Sequence, residues 1–194
     1  TATVVDADFS NVTSVETLLL SGAAGQDVTL GASADAAGIR TVTATAGTAS
    51  KIDISGTTSG LTVSTAAGAD TVTAGGGADH ISTGAGDDLI QFTSAQFTSS
   101  DTVAGGANAD TIEITTTATV VDAEFSNVTG VETLLLSDAA GQDVTLGASA
   151  DAAGIRTVTA TAGTASKIDI SGTTSGLKVS TAAGADTVTA GGGS

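Results

Sequence analysis

Short apolar beats recur along the chain with turn residues between them: "VETLLLS", "QDVTLG", "IRTVTAT", "KIDIS", "LTVS", "DTVTA", "DHIST", "DLIQF", "DTVAG" and "DTIEIT". Most alternate apolar with polar residues, the period of a strand that buries one face. Only "GASADAAGIR", Gly31 to Arg40, suggests a turn of helix, and no segment sustains a capped helical period. Strand centres fall about nine to twelve residues apart, and no Asn-Gly hairpin signal separates them. Strands this short and regular, joined by small-residue corners, predict an all-β chain wound as a parallel β-solenoid rather than a sandwich. Each coil then stacks on the next at roughly 5 Å, around an interior too narrow for much beyond Val, Ile, Leu, Ala and Thr.

Composition agrees with a thin coil. Among 194 residues there are four Phe, 26 Gly, and no Trp, Tyr, Met, Cys or Pro. A hydrophobic fraction of 40%, rich in β-branched residues, is too high for intrinsic disorder. The lack of cysteine removes disulfides and thiolate metal sites, so stability must come from repetition or from metal ions.

Self-similarity sets the organisation. "TATVVDADFSNVTSVETLLLS" from Thr1 returns as "TATVVDAEFSNVTGVETLLLS" from Thr117, an offset of 116 residues. Over the 78-residue overlap five pairs differ: Asp8 and Glu124, Ser14 and Gly130, Gly22 and Asp138, Thr62 and Lys178, Ala78 and Ser194. Residues 1–116 thus read as one full unit and 117–194 as a second, truncated one. Within the first, 1–64 read as plain solenoid coils and 65–113 as a more regular, glycine-rich stretch. Units this faithful suit an array in which each performs the same mechanical job better than a single active site, so no enzyme is expected. The abrupt start and the stop inside a motif suggest a piece of a longer chain. An uncapped coil end is a template for pairing, so continuation end to end is expected, along the chain or with another copy.

Charge narrows the partners. Five Lys plus Arg stand against 21 Asp plus Glu, a formal net charge of −16. Nucleic acid, which needs clustered cations, is excluded, and inorganic cations become the natural partners. No run of 18 apolar residues spans a membrane, and no leader of cleavable type opens the chain.

The acids are most regular in "AAGADTVTAGGGADHISTGAGDDLIQ", residues 66–91, where Asp70, Asp79 and Asp88 fall nine residues apart. On that grid stand "TAAGADTVT" (65–73), "AGGGADHIS" (74–82) and "TGAGDDLIQ" (83–91), with "GGANADTIE" (105–113) fitting again. "QFTSSDTVA" (96–104) keeps only the acid and the aliphatic residue. These nonads resemble the RTX calcium-binding repeats, whose pattern is G-G-x-G-x-D-x-U-x with U a large aliphatic residue. First-position glycine is missing from the three consecutive nonads, and second-position glycine from the first.

The resemblance implies a right-handed parallel β-roll. Six residues of each nonad form a corner and three a strand, and corners 18 residues apart stack around Ca²⁺. Ca²⁺ takes about six to eight oxygens, which aspartates and inward-turned glycine carbonyls can supply. By this reading the metal residues are Asp70, Asp79, Asp87, Asp88, Asp101, Asp110 and Asp186, with backbone carbonyls near Gly68, Gly75, Gly77, Gly84, Gly86 and Gly105. Asp70 and Asp88 should share one site with Asp87 nearby. Asp79 lies on the other edge, and its stacked partner stays open because "FTSA" (92–95) puts Asp101 and Asp110 four residues out of phase. Corners that keep the shape and have lost the ion are the alternative.

Other features carry less. "DADFSNVTSVE" (6–16) lacks the EF-hand's sixth-position glycine and twelfth-position carboxylate, with Asn11 and Thr17 in those places. His80 points outward on the grid, with no catalytic relay around it. "NVT" at Asn11 and Asn127 matches a glycosylation sequon. "GGGADH" and "GAGDDL" lack the lysine and helix of a phosphate loop. The expected protein is a structural segment of a secreted bacterial surface protein, a surface layer or filament, exported without a cleaved N-terminal signal. Spacer repeats of an adhesin are the alternative, and the tail of a secreted enzyme is a weaker third.

Overall fold

The computed structural model describes residues 3–117 and 119–192. Among these residues every strand pairing is parallel, in three sheets. One sheet stacks nine strands: Thr3–Val4, Asp27–Thr29, Lys51–Asp53, Thr71–Thr73, Leu89–Phe92, Thr111–Ile114, Thr133–Leu136, Thr157–Ala160 and Lys178–Thr181. Opposite it a six-stranded sheet holds Thr17–Leu20, Thr41–Ala44, Thr62–Ser64, His80–Ala85, Thr102–Ala107 and Val128–Thr129. A four-stranded sheet of Thr119–Val121, Asp143–Thr145, Lys167–Asp169 and Thr187–Thr189 continues that second face. From Thr3 to Ile114 the chain passes from face to face with each strand, which is the parallel β-solenoid, or β-roll, that the apolar beats predict.

Alternation puts one or two apolar residues of most strands into the narrow interior, and register stacks them. Val28, Ile52, Val72, Ile90, Ile112, Leu134 and Val158 pair in sequence up the nine-stranded sheet, all fully buried. Val42, Val63, Ile81, Val103 and Val128 do so opposite. Each such side chain contributes about 1.5–3 kcal/mol by leaving water.

The predicted turn of helix forms at Ala32–Ala37. Its N-terminus is capped from the preceding coil: Asp6 accepts hydrogen bonds from the backbone N–H of Gly31 (2.7 Å), Ala34 (2.9 Å) and Ser33 (3.1 Å). Asp122 does the same for the helix Ala148–Ala153. The acids at the head of "DADFSNVTSVE" are therefore structural, on a short 3-10 turn at Asp6–Phe9.

Residues 3–114 make eleven strands that alternate strictly between faces, an odd number. Corresponding strands of the two repeats therefore lie on opposite faces. Asp27–Thr29 belongs to the nine-stranded sheet and its counterpart Asp143–Thr145 to the four-stranded one, while Thr41–Ala44 and Thr157–Ala160 swap the other way. One repeat is turned half a revolution relative to the last.

Candidate metal centre

The nonad acids sit immediately before strands that are in register, so register stacks the acids. Thr71 pairs with Leu89 and Leu89 with Thr111, which places Asp70, Asp88 and Asp110 one above another along one edge. Each carboxylate receives the backbone N–H of the residue one coil back. Ser50 N–H donates to Asp70 Oδ1 (2.6 Å), Asp70 N–H to Asp88 Oδ1 (2.7 Å), and Asp88 N–H to Asp110 Oδ1 (2.9 Å). Asp110 N–H then donates to Glu132 Oε2 (2.9 Å). The four extra residues at 92–95 lengthen the step from 18 to 22 residues without breaking the stack. They leave the corner as a bulge whose Phe97 packs inward between Phe92 and Phe125, ring centroids 5.1 and 5.2 Å away.

The second oxygen of each acid is different. Oδ2 of Asp70, Asp88 and Asp110 is buried and has no hydrogen-bond partner. Thr65 lies close enough to Asp70, and Thr83 to Asp88, to favour the ionised acids. Each hydroxyl nevertheless donates to a carbonyl of the following coil, Thr65 to Thr83 O (2.7 Å) and Thr83 to Gly105 O (2.8 Å). Burial raises all three acids above the ordinary aspartate value, Asp110 to about 6, reinforced there by the charges of Asp88, Glu132 and Asp87. The two ion pairs among the described residues, Arg40 with Asp35 and Lys167 with Asp143, lie elsewhere. Three buried oxygens in single file, lacking both proton donor and cation, are a donor set that a hard divalent cation completes.

Backbone approach completes the edge. Gly86 has φ +140°, and any Cβ there would overlap the carbonyl of Gly68 in the coil below; Gly106, at φ +110°, stands over the Gly84 carbonyl in the same way. Gly105 faces Asp110 Oδ2, where a side chain would press on that oxygen. Glycine at these corners thus lets the backbones of successive coils approach closely, and at 105 leaves space beside Asp110 Oδ2.

The opposite edge is built otherwise. His80 pairs with Thr102, so Asp79 stacks with Asp101, 22 residues on, which settles the partner that the sequence left open. Asp79 accepts Leu61 N–H (2.8 Å) and Gly75 N–H (3.3 Å). Asp101 accepts Asp79 N–H (2.8 Å), Thr98 N–H (2.8 Å) and the Thr98 hydroxyl. These acids have backbone donors on both oxygens. Burial, with the charge of Asp101, still pushes Asp79 up to about 6.

The remaining expected residues lie around these edges. Gly68, Gly84, Gly86 and Gly105 belong to corners of the first, Gly75 and Gly77 to the corner of Asp79. Asp87 is exposed and accepts Ala109 N–H (3.0 Å). Asp186 accepts Ser166 N–H (2.8 Å), as Asp70 does from Ser50, but on the opposite face because the repeat is turned. His80 is exposed beside the buried Ile81. Among the described residues no three Asp, Glu or His side chains come together in a group that could hold a metal ion.

The family model for the RTX calcium-binding nonapeptide repeat matches four copies, at residues 62–90 and 98–113. The chain carries RTX calcium-binding nonapeptide repeats. RTX nonapeptides bind calcium ions, so Ca²⁺ is the cation to set against the open oxygens. The match covers less than a quarter of the chain and coincides with the two acid stacks. RTX repeats are structural rather than catalytic, and proteins that carry them are typically secreted. No curated protein and no solved structure matches the chain. No helix among the described residues is long and apolar enough to cross a membrane.

Sequence reasoning missed Glu132 and the threonine hydroxyls. A signal for Glu132 existed: Asp88, Asp110 and Glu132 are spaced by 22. Thr65 and Thr83 occupy the first nonad position, where the family pattern has glycine.

Proposed function

We propose that this chain is a calcium-locked structural segment of a secreted bacterial surface assembly, a surface layer or extracellular filament, built from 116-residue units. Residues 1–116 are one unit and 117–194 the start of the next. Asp70, Asp88 and Asp110 hold Ca²⁺ along one edge, with carbonyls near Gly68, Gly84, Gly86 and Gly105. Asp79 and Asp101, near Gly75 and Gly77, form a second edge that needs the ion less. Asp186 stands for Asp70 in the next unit. The observation that carries this reading is the file of unpartnered, buried Oδ2 atoms on Asp70, Asp88 and Asp110.

Bound Ca²⁺ supplies the positive charge that the buried edge lacks. The residues do the rest: they hold each carboxylate by a backbone N–H, exclude water, and bring successive coils together. Because the edge exists only when coils are stacked, ion binding and folding are coupled, so the coil closes in calcium-rich surroundings and loosens inside the cell. Circular dichroism melts with and without chelator, paired with electron microscopy, test both halves. Unchanged melting in excess chelator would sink the calcium lock. Dispersed rods instead of sheets or filaments in calcium would point to an adhesin spacer.

A further inference from the structure

The two repeats place one sequence in two environments, and the difference shows what the first repeat lacks. Val131 is fully buried, whereas its counterpart Val15 is 39% exposed. Phe125 is 1% exposed and Phe9 9%, and Leu19 is 60% exposed while Leu135 is partly covered. The cover in the second repeat is the last full coil of the first. Phe97 packs edge-on against Phe125, Val103 and Ala104 pair with Val128 and Thr129, and Thr111–Ile114 pairs with Thr133–Leu136. Asp110 N–H reaches the Glu132 carboxylate, and the Asn127 amide donates to Ser99 O (2.8 Å). In the first repeat the same positions leave an open groove of about 380 Å³, floored by Phe9, Val12, Ala32 and Ala36, with Glu16 exposed beside it.

We infer that this groove and the free edge of Thr17–Leu20 are an interface for one partner, the coil 92–114 of another repeat unit joined ahead of Thr1. That coil seats Phe97 on Phe9, pairs Thr111–Ile114 with Thr17–Leu20, and caps its Asp110 with Glu16. A second copy of this chain does not have the partner to offer, because its coil 92–114 already lies against its own Val128–Leu136. The face differs from its covered counterpart at Ser14, where Gly130 stands. A Cβ at 130 would lie 3.0 Å from Gly106 N, so the coil must give by a few tenths of an ångström over Ser14.

The inference deepens the end-to-end stacking proposed above and rests on it only for the existence of further units. The test adds a 116-residue unit of the sequence 1–116 ahead of Thr1 and measures backbone hydrogen exchange in saturating Ca²⁺. The amides of Thr133 and Ser137 donate to the covering coil, so exchange of their counterparts Thr17 and Ser21, and of Leu19 between them, should slow at least about tenfold, approaching that of Thr133, Leu135 and Ser137. Phe97→Ala in the added unit alone should return much of that gain, and Ser14→Gly should increase it. Residues 12–20 that exchange as before, with the added unit itself folded, overturn the inference, whether or not the protein still forms filaments. So does protection of those residues in the unextended chain that grows with protein concentration, which would assign the face to a second copy.

Discussion

Acid should stabilise the calcium-free chain and weaken the calcium-loaded one. In the folded chain Asp79 and Asp110 are raised from 3.8 to about 6, by burial first and then by neighbouring carboxylates. A raised folded value means that between about pH 4 and 6 the folded state holds protons that the unfolded state has released. Their contribution is fully present below about pH 4 and is lost as pH rises through about 6. At full effect each acid contributes up to about 3 kcal/mol, and less as solvent screens its charge. Asp70 and Asp88 are shifted in the same direction. Asp6 and Asp122 set the lower limit: burial opposes ionisation, but the helix N–H groups outweigh it and hold both acids low, so their stabilisation is lost on further acidification. At about 2–4 °C per kcal/mol, the calcium-free chain should melt on the order of 10 °C higher near pH 4.5 than at pH 7.5. In saturating Ca²⁺ the ion replaces the proton as the compensating charge, and protons then compete with it, so melting temperature should fall over the same interval. Far-UV circular dichroism melts of calcium-stripped and calcium-saturated protein at pH 4.5, 6 and 7.5 measure this. A calcium-free melting temperature that is flat or rises towards pH 7.5 would mean that these acids are not raised in the folded chain.

Three further outcomes follow from the packing and the edge. Ile112→Ala, in the middle of the buried aliphatic stack, should cost about 2–5 kcal/mol by denaturant unfolding in calcium. Gly86→Ala places a Cβ against the Gly68 carbonyl at positive φ and should lower the melting temperature in calcium as well as in chelator. Thr83→Val leaves the buried Gly105 carbonyl without its hydroxyl donor and should cost about 1–3 kcal/mol, read by the same unfolding curves.

The sequence disclosed most of the architecture because the solenoid is written locally. Aliphatic residues alternating along short strands, small residues at corners and an acid before each nonad strand are visible without coordinates, and so was the turn of helix at Ala32–Ala37. Properties that depend on counting coils were hidden. The four residues at 92–95 put Asp101 and Asp110 out of phase on paper, yet the bulge absorbs them because Phe97 finds a buried seat between Phe92 and Phe125. Asp79 thereby stacks on Asp101, and Asp110 on Asp88. The half-turn between repeats follows from an odd number of strands, which no single motif records. Asp6 looked like part of an acidic loop, and only the stacking of coils shows that it caps a helix 25 residues away. Nor could spacing reveal that the two acid edges differ, since that rests on which donors reach the second oxygen of each carboxylate.

If Ca²⁺ is held by the file of Asp70, Asp88 and Asp110, removing one of these carboxylates must remove bound calcium. Calorimetric calcium titration of the chain beside Asp88→Asn and Asp101→Asn, each checked for folding by circular dichroism, tests it most directly. Asp88→Asn should lose bound calcium and weaken what remains, while Asp101→Asn should bind nearly as the parent does. Equal calcium binding by the parent and Asp88→Asn would contradict it.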